Sequence, residues 1–176
     1  MRDKLTEWIN QLGDPHHPIR HRAYRELEKK ATVDALISGL QHENWRIRKS
    51  CAALMDHIAD ERCAKSLTHV LEKDPTADVR RLALHSLVCD RCKTVPLDVD
   101  TVGVVSKTAL MDTSIRVRRK ATTTLGLLPT SDRRKKIVLK RLLEDPDPEI
   151  RRRANWCLHR PKNKKPNQLD YSPNFQ

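Results

Sequence analysis

At 176 residues the chain suits one compact domain burying roughly 70% of its unfolded surface, and a content of 3% aromatics and 4 glycines argues against a strand-and-turn architecture. The start, MRDKLTEWINQL, has no apolar signal region, and no stretch nears the roughly 18 apolar residues of a membrane span, so the chain is expected in the cytoplasm without membrane contact. The five cysteines, odd in number and mostly at helical core spacing, read as reduced thiols rather than a disulfide framework, and the net charge of +12 is uneven: residues 1–114 hold 18 Lys/Arg against 17 Asp/Glu, residues 115–165 hold 17 against 5.

Taken in chain order, the elements repeat five times. The first unit, residues 1–29, predicts a helix over 4–12 (Leu5, Trp8, Ile9, Leu12), a turn at Asp14-Pro15, and a second helix with the stripe Ile19, Ala23, Leu27. Residues 30–60 follow with a helix over 33–40, His42 at the turn, and Ile47, Cys51, Met55. Residues 61–92 give a helix over 63–71, Asp74-Pro75, and Val79, Ala83, Leu87. A loop over 90–100 lengthens the fourth unit, residues 93–128, with its helix over 102–111, Asp112, and Val117, Ala121, Leu125. The fifth, residues 129–160, has a helix over 134–143, Asp145-Pro146, and Ile150, Ala154, Leu158. The spacing of four puts each triplet on one helical stripe. From 161 to 176 the chain reads PKNKKPNQLDYSPNFQ, with no helical stripe, which predicts a disordered basic tail.

A turn Asp, then Ile/Val-Arg, then a small residue resembles the HEAT repeat, particularly the phycobilisome-lyase type, over about residues 3–160. The resemblance implies an all-α fold, an α-solenoid in which five HEAT-like helix pairs form a right-handed superhelix. It also implies a ladder of salt bridges, carried over as Asp14/Arg20, Asp74/Arg80, Asp112/Arg118 and Asp145/Arg151, with the second rung interrupted by His42 opposite Arg48. These arginines read as structural.

Removing core and ladder leaves the outer side of each second helix. His21, Lys49, Arg81, Arg119 and Arg152 recur there, as a solvated charge row or as a binding face. The last two repeats point to the binding face. Arg119, Lys120, Arg152, Arg153, Asn155 and His159 can contact phosphates and hydrogen-bond, and Trp156 either stacks on a base or caps the end of the repeats. Arg133, Arg134, Lys136 and Lys140 on the partner helix widen the basic surface.

His85, Cys89 and Cys92, with Cys63 and His69 in the partner helix, form a weak candidate zinc set. Neither a glycine-rich phosphate loop nor a nucleophile triad is visible, and no cofactor is expected. HEAT-like deoxyhypusine hydroxylases use His-Glu pairs on helices, but the one pair here, His42-Glu43, lies at a turn. Alkylpurine DNA glycosylases of similar fold place an Asp by the lesion, and the nearest to Trp156 is Asp147, again at a turn. Chromophore lyases share the repeat type, without a tetrapyrrole motif here. The sequence thus predicts a non-catalytic scaffold binding an acidic macromolecule, nucleic acid ahead of an acidic protein, with a glycosylase-like or lyase-like role as the alternative.

Overall fold

A computed structural model describes residues 2–89 and 96–159, with side chains from Lys4 onward. The expected tail and Cys92 lie outside the described residues. Every regular element among them is helical, as the spacing predicts, and the stacked helix pairs are those of an α-solenoid. Among these residues no helix is long and apolar enough to cross a membrane. The chain divides into two compact units, residues 1–101 and 102–176.

The first unit holds α1 (Arg2–Gln11), α2 (His17–Lys30), α3 (Val33–Gly39), α4 (Trp45–Ile58), α5 (Glu61–Lys73) and α6 (Ala77–Val88). Successive helices pair as α1/α2, α3/α4 and α5/α6. First helices then stack on first helices and second on second, the α4/α6 contact being the broadest. The second unit holds α7 (Thr101–Met111, entering it after its first residue), α8 (Ile115–Leu127), α9 (Arg133–Arg141) running into a 3-10 turn (Leu142–Glu144), and α10 (Pro148–His159). Here α10 packs on α8, on α9 and on the 3-10 turn.

The apolar stripes fill the interior: Ala23, Leu27, Ile47, Cys51, Met55, Val79, Ala83, Leu87, Val117, Ala121, Leu125, Ile150 and Ala154 are all buried. Ile19 departs from the expected stripe, being 40% exposed. Its counterpart Ile47 is covered by the turn of the preceding repeat, where a Cβ on Gly13 would stand 3.1 Å from the Ile47 side chain.

One hydrogen bond recurs at every turn. The Asp14, Asp74, Asp112 and Asp145 carboxylates accept from the backbone N–H two residues on, at 2.7–2.9 Å. His42 does the same with Nδ1, taking the Asn44 N–H at 2.9 Å. This Asx-type turn satisfies a backbone donor that would otherwise lack a partner, and it needs an acceptor close to the main chain rather than a charge.

The ladder arginine, six residues on, closes the turn from the other side. Arg20, Arg48, Arg80 and Arg151 each donate from Nη1 to the carbonyls six and five residues earlier, at 2.7–3.3 Å. The expected pairings Asp14/Arg20, Asp74/Arg80 and Asp145/Arg151 therefore form through the Asp carbonyl, because the carboxylate is already turned toward the N–H of its own turn. The carboxylate instead serves the arginine of the repeat before. Arg48 grips Asp74 with Nε and Nη2 at 2.6 and 3.1 Å, and Arg118 reaches Asp145 at 3.3 Å in place of the expected Asp112. The interruption expected at Arg48 is absent, since its charge partner is Asp74.

Glycine sets the close approach of α3 to α4. A Cβ on Gly39 would overlap the Cys51 sulfur, while Ile9 stands at an ordinary 3.5 Å. Gly39→Ala should therefore destabilise the protein by about 1–3 kcal/mol, the usual cost of overpacking. Adding Cys51→Ala should restore most of the loss, since only the sulfur is in the way. Denaturant unfolding of the two variants checks this; a double variant no more stable than Gly39→Ala alone would contradict the packing.

Candidate functional site

The residues expected to form a basic face on α8 and α10 come together, but largely as partners of acidic groups. Asp147 precedes Pro148, the first residue of α10, and caps that helix by accepting the Ile150 N–H at 2.9 Å. The same carboxylate takes Arg119 side-on, Nε at 3.0 Å and Nη2 at 2.7 Å. Glu149, in the first turn of α10, accepts Arg152 through both oxygens at 2.8 Å and Arg153 at 2.7 Å. Arg153 also donates to the Thr123 hydroxyl at 2.8 Å, tying α10 to α8.

These contacts revise the expected role of three residues. Arg119 fastens α8 to the α10 cap, and Arg153 is a packing link; neither is a free phosphate contact. Arg152 stays highly exposed, yet its charge is shared with Glu149. Lys120 is half-buried and Asn155 exposed. The His159 Nδ1 lies 2.9 Å from the Asn155 carbonyl, which uses that nitrogen as a donor. Trp156 is 46% exposed. Asp147, the aspartate that a glycosylase-like reading would use, is committed to Arg119 and the helix cap.

Uncompensated positive charge lies on α9. Arg133, Lys136, Lys140 and Arg141 are exposed, with no hydrogen-bonding or ionic partner among the described residues. Positions three, four, seven and eight apart share one helix face, opposite the buried Leu139 and Leu142. Ile137, in the middle of that face, is 66% exposed. Other cations of α9 are engaged: Arg134 is held by the N-cap Asp132 at 2.7 Å, and Lys135 donates to the Leu128 carbonyl at 2.6 Å. The α9 sequence, RRKKIVLKR, carries no acidic residue. The helix side of this contrast was legible in the sequence; the neutralising role of Asp147 and Glu149 was not, because it depends on which residues α8 and α10 bring together.

In the first unit α3 and α5 border a furrow lined by Ile37, Lys65, His69, Val70 and Lys73. Trp45, half exposed at the start of α4, lies under Arg46 and Lys49 at 5.0 and 5.9 Å from its ring centre. Of the weak zinc set, His85 and Cys89 lie together with Asp56, a residue the sequence did not single out. Cys63 is buried in the core and His69 faces the furrow, and neither joins the group. Burial works against charge on His85, but hydrogen bonds to Asp56 and Cys89 outweigh it and raise the imidazole to about 9. The Cys51 thiol is pushed up to about 12 by burial, as befits a core residue.

Residues 5–88 match the family model of HEAT repeats. No curated protein matches the chain. Among solved structures, a crystal structure of the Escherichia coli protein YibA, a structural-genomics target, is similar with a TM-score of 0.57 and 20% identity. The match covers 91% of this chain and 59% of that one, so the chain spans well under two thirds of the length of YibA. The likeness supports the fold.

Asp147 and Glu149 give the second unit a pH dependence. The hydrogen bond from Arg119 holds Asp147 down at about 2, and those from Arg152 and Arg153 do the same for Glu149. A depressed carboxylate contributes stability that is complete above its unfolded value, near 4 here, and is lost as pH falls toward the folded one. Melting temperature should therefore fall steadily from about pH 4.5 to pH 2. In Asp147→Asn/Glu149→Gln the fall should be shallower, from a lower starting stability. An identical acid slope in the variant, followed by circular dichroism, would show that these pairs do not hold the fold.

Proposed function

We propose that the chain is a non-catalytic binding module whose α9 face engages an acidic macromolecule, nucleic acid in the first instance. The observation that supports this most is the separation of cations into two kinds. Arg119, Arg152 and Arg153 on α8 and α10 are engaged by Asp147 and Glu149, whereas Arg133, Lys136, Lys140 and Arg141 project from one face of α9 with no acidic partner among the described residues. A row of unpaired cations on a fixed helix is suited to tracking a phosphate backbone. Trp156 remains a stacking candidate on α10. The phycobilisome-lyase type of repeat belongs to this proposal too, resting on the turn Asp and the ladder Arg alone, and implies no pigment chemistry.

An adaptor for an acidic protein is the second reading, favoured by Ile137. An exposed aliphatic side chain surrounded by cations gives no advantage against phosphates but can anchor a protein partner whose rim is acidic.

The two readings separate by titration. Contact with about four phosphates gives a slope of log affinity against log salt near −3.6 on duplex and −2.8 on single strands. Arg133→Glu/Lys136→Glu/Lys140→Glu should abolish binding of a fluorescent oligonucleotide, while Lys29→Glu/Lys65→Glu/Lys73→Glu in the first unit should leave it within about twofold. Equal loss in both variants would make the attraction diffuse. No binding at low salt would discard nucleic acid. Ile137→Ser would then be the discriminating change, weakening an acidic protein partner with little effect on salt dependence.

A further inference from the structure

Between α4 and α6 three different donor types converge. Asp56 comes from the last turn of α4, His85 from the last turn of α6, and Cys89 is the residue that caps α6. The His85 Nε2 lies 3.1 Å from Asp56 Oδ2, and one ligand atom from each of the three residues lies within 4.8 Å of the other two. Asp56 is buried, and His85 and Cys89 are half-buried, so the cluster sits at the edge of the core with an approach from outside.

The chemistry of this set is selective. A carboxylate, an imidazole and a thiolate on one small volume match the mixed oxygen, nitrogen and sulfur ligation of a borderline-soft divalent ion. Hard ions such as magnesium or calcium want an all-oxygen shell, which His85 and Cys89 cannot supply. Charge balance points the same way, since thiolate and carboxylate together neutralise a dication and leave a neutral assembly at the rim of an apolar core. The ligand atoms are close enough for small side-chain adjustments to bring them onto one ion, and the backbone already positions two of them: His85 and Cys89 are four residues apart at a helix end, where the Cys89 N–H bonds the His85 carbonyl at 2.9 Å.

We propose that Asp56, His85 and Cys89 form a divalent-metal site of the zinc class, joining the C-terminal ends of α4 and α6 and leaving the fourth tetrahedral position to water or a further ligand. Its function is independent of the α9 surface. The ion links the second helices of adjacent repeats where the broadest helix contact of the first unit ends.

Cobalt(II) is the probe, because thiolate ligation gives a charge-transfer band and tetrahedral geometry gives intense visible d–d bands. Full-length protein stripped with a chelator and titrated with cobalt should develop both at one ion per chain, and zinc should bleach them. Cys89→Ser should remove the charge-transfer band. His85→Ala and Asp56→Asn should each weaken cobalt binding by more than the roughly 10–100-fold that loss of an outer-shell partner costs. Circular dichroism of each variant confirms that it is folded, and Cys51→Ala, a core thiol away from the cluster, serves as the folded control that keeps the band. Absence of the band in the natural sequence overturns the proposal and leaves an Asp56–His85 ion pair. A band that survives Cys89→Ser overturns it as well, since another thiol would then be the ligand.

Discussion

The arginine six residues past each turn is the interaction on which the repeat depends. A guanidinium is flat and carries five donors in fixed directions, so one edge can satisfy two turn carbonyls while the other holds a carboxylate. Arg48 does both, with Nη1 on the His42 and Glu43 carbonyls and Nε and Nη2 on Asp74. Carbonyls at the ends of helices lack intrahelical partners, and here they receive them from the helix that follows. The entry angles of α2, α4, α6 and α10 are thereby set by their own side chains, which keeps Val79 or Ile150 in register with the interior. Lysine would not substitute, having a single point of charge and no second edge.

The same residue type carries two fates in the second unit. Arg118, Arg119 and Arg153 are bound to Asp145, Asp147 and Glu149 and belong to the architecture. Arg133, Lys136, Lys140 and Arg141 of α9 are left over among the described residues. Counting charges along the chain cannot make this distinction, because a salt bridge between residues 28 apart contributes nothing to a local sum. Net charge therefore marks the last third of the chain as basic and overstates how much of that charge is uncompensated.

The elements themselves were legible because burial imposes period: Ala121, Leu125 and Ala154 had to lie inward if the segments were helices, and they do. Ile19 is an exception, 40% exposed at a stripe position whose counterpart Ile47 is covered by the turn at Gly13. The ladder was legible in its residue types and wrong in its wiring. Asx geometry at Asp74 faces the carboxylate away from Arg80, a consequence of backbone direction that no spacing rule conveys. Asp56 escaped notice because it lies on a different helix from His85 and is 29 positions away.

His42 has a consequence of its own. It reproduces the turn hydrogen bond of an aspartate without supplying a carboxylate, so Arg20 bonds the carbonyls of Asp14 and Pro15 and has no acidic counterpart in the second repeat. Among the described residues the seam between α1/α2 and α3/α4 lacks an arginine–carboxylate clasp from turn to turn, whereas the next seam has the Arg48–Asp74 clasp. Cooperativity along a stack of repeats is only as strong as its weakest nearest-neighbour coupling. An opening of α1 and α2 that leaves α4 to α6 closed accordingly breaks one such clasp fewer than an opening between α4 and α6, and amide exchange of α1 and α2 is where it would show.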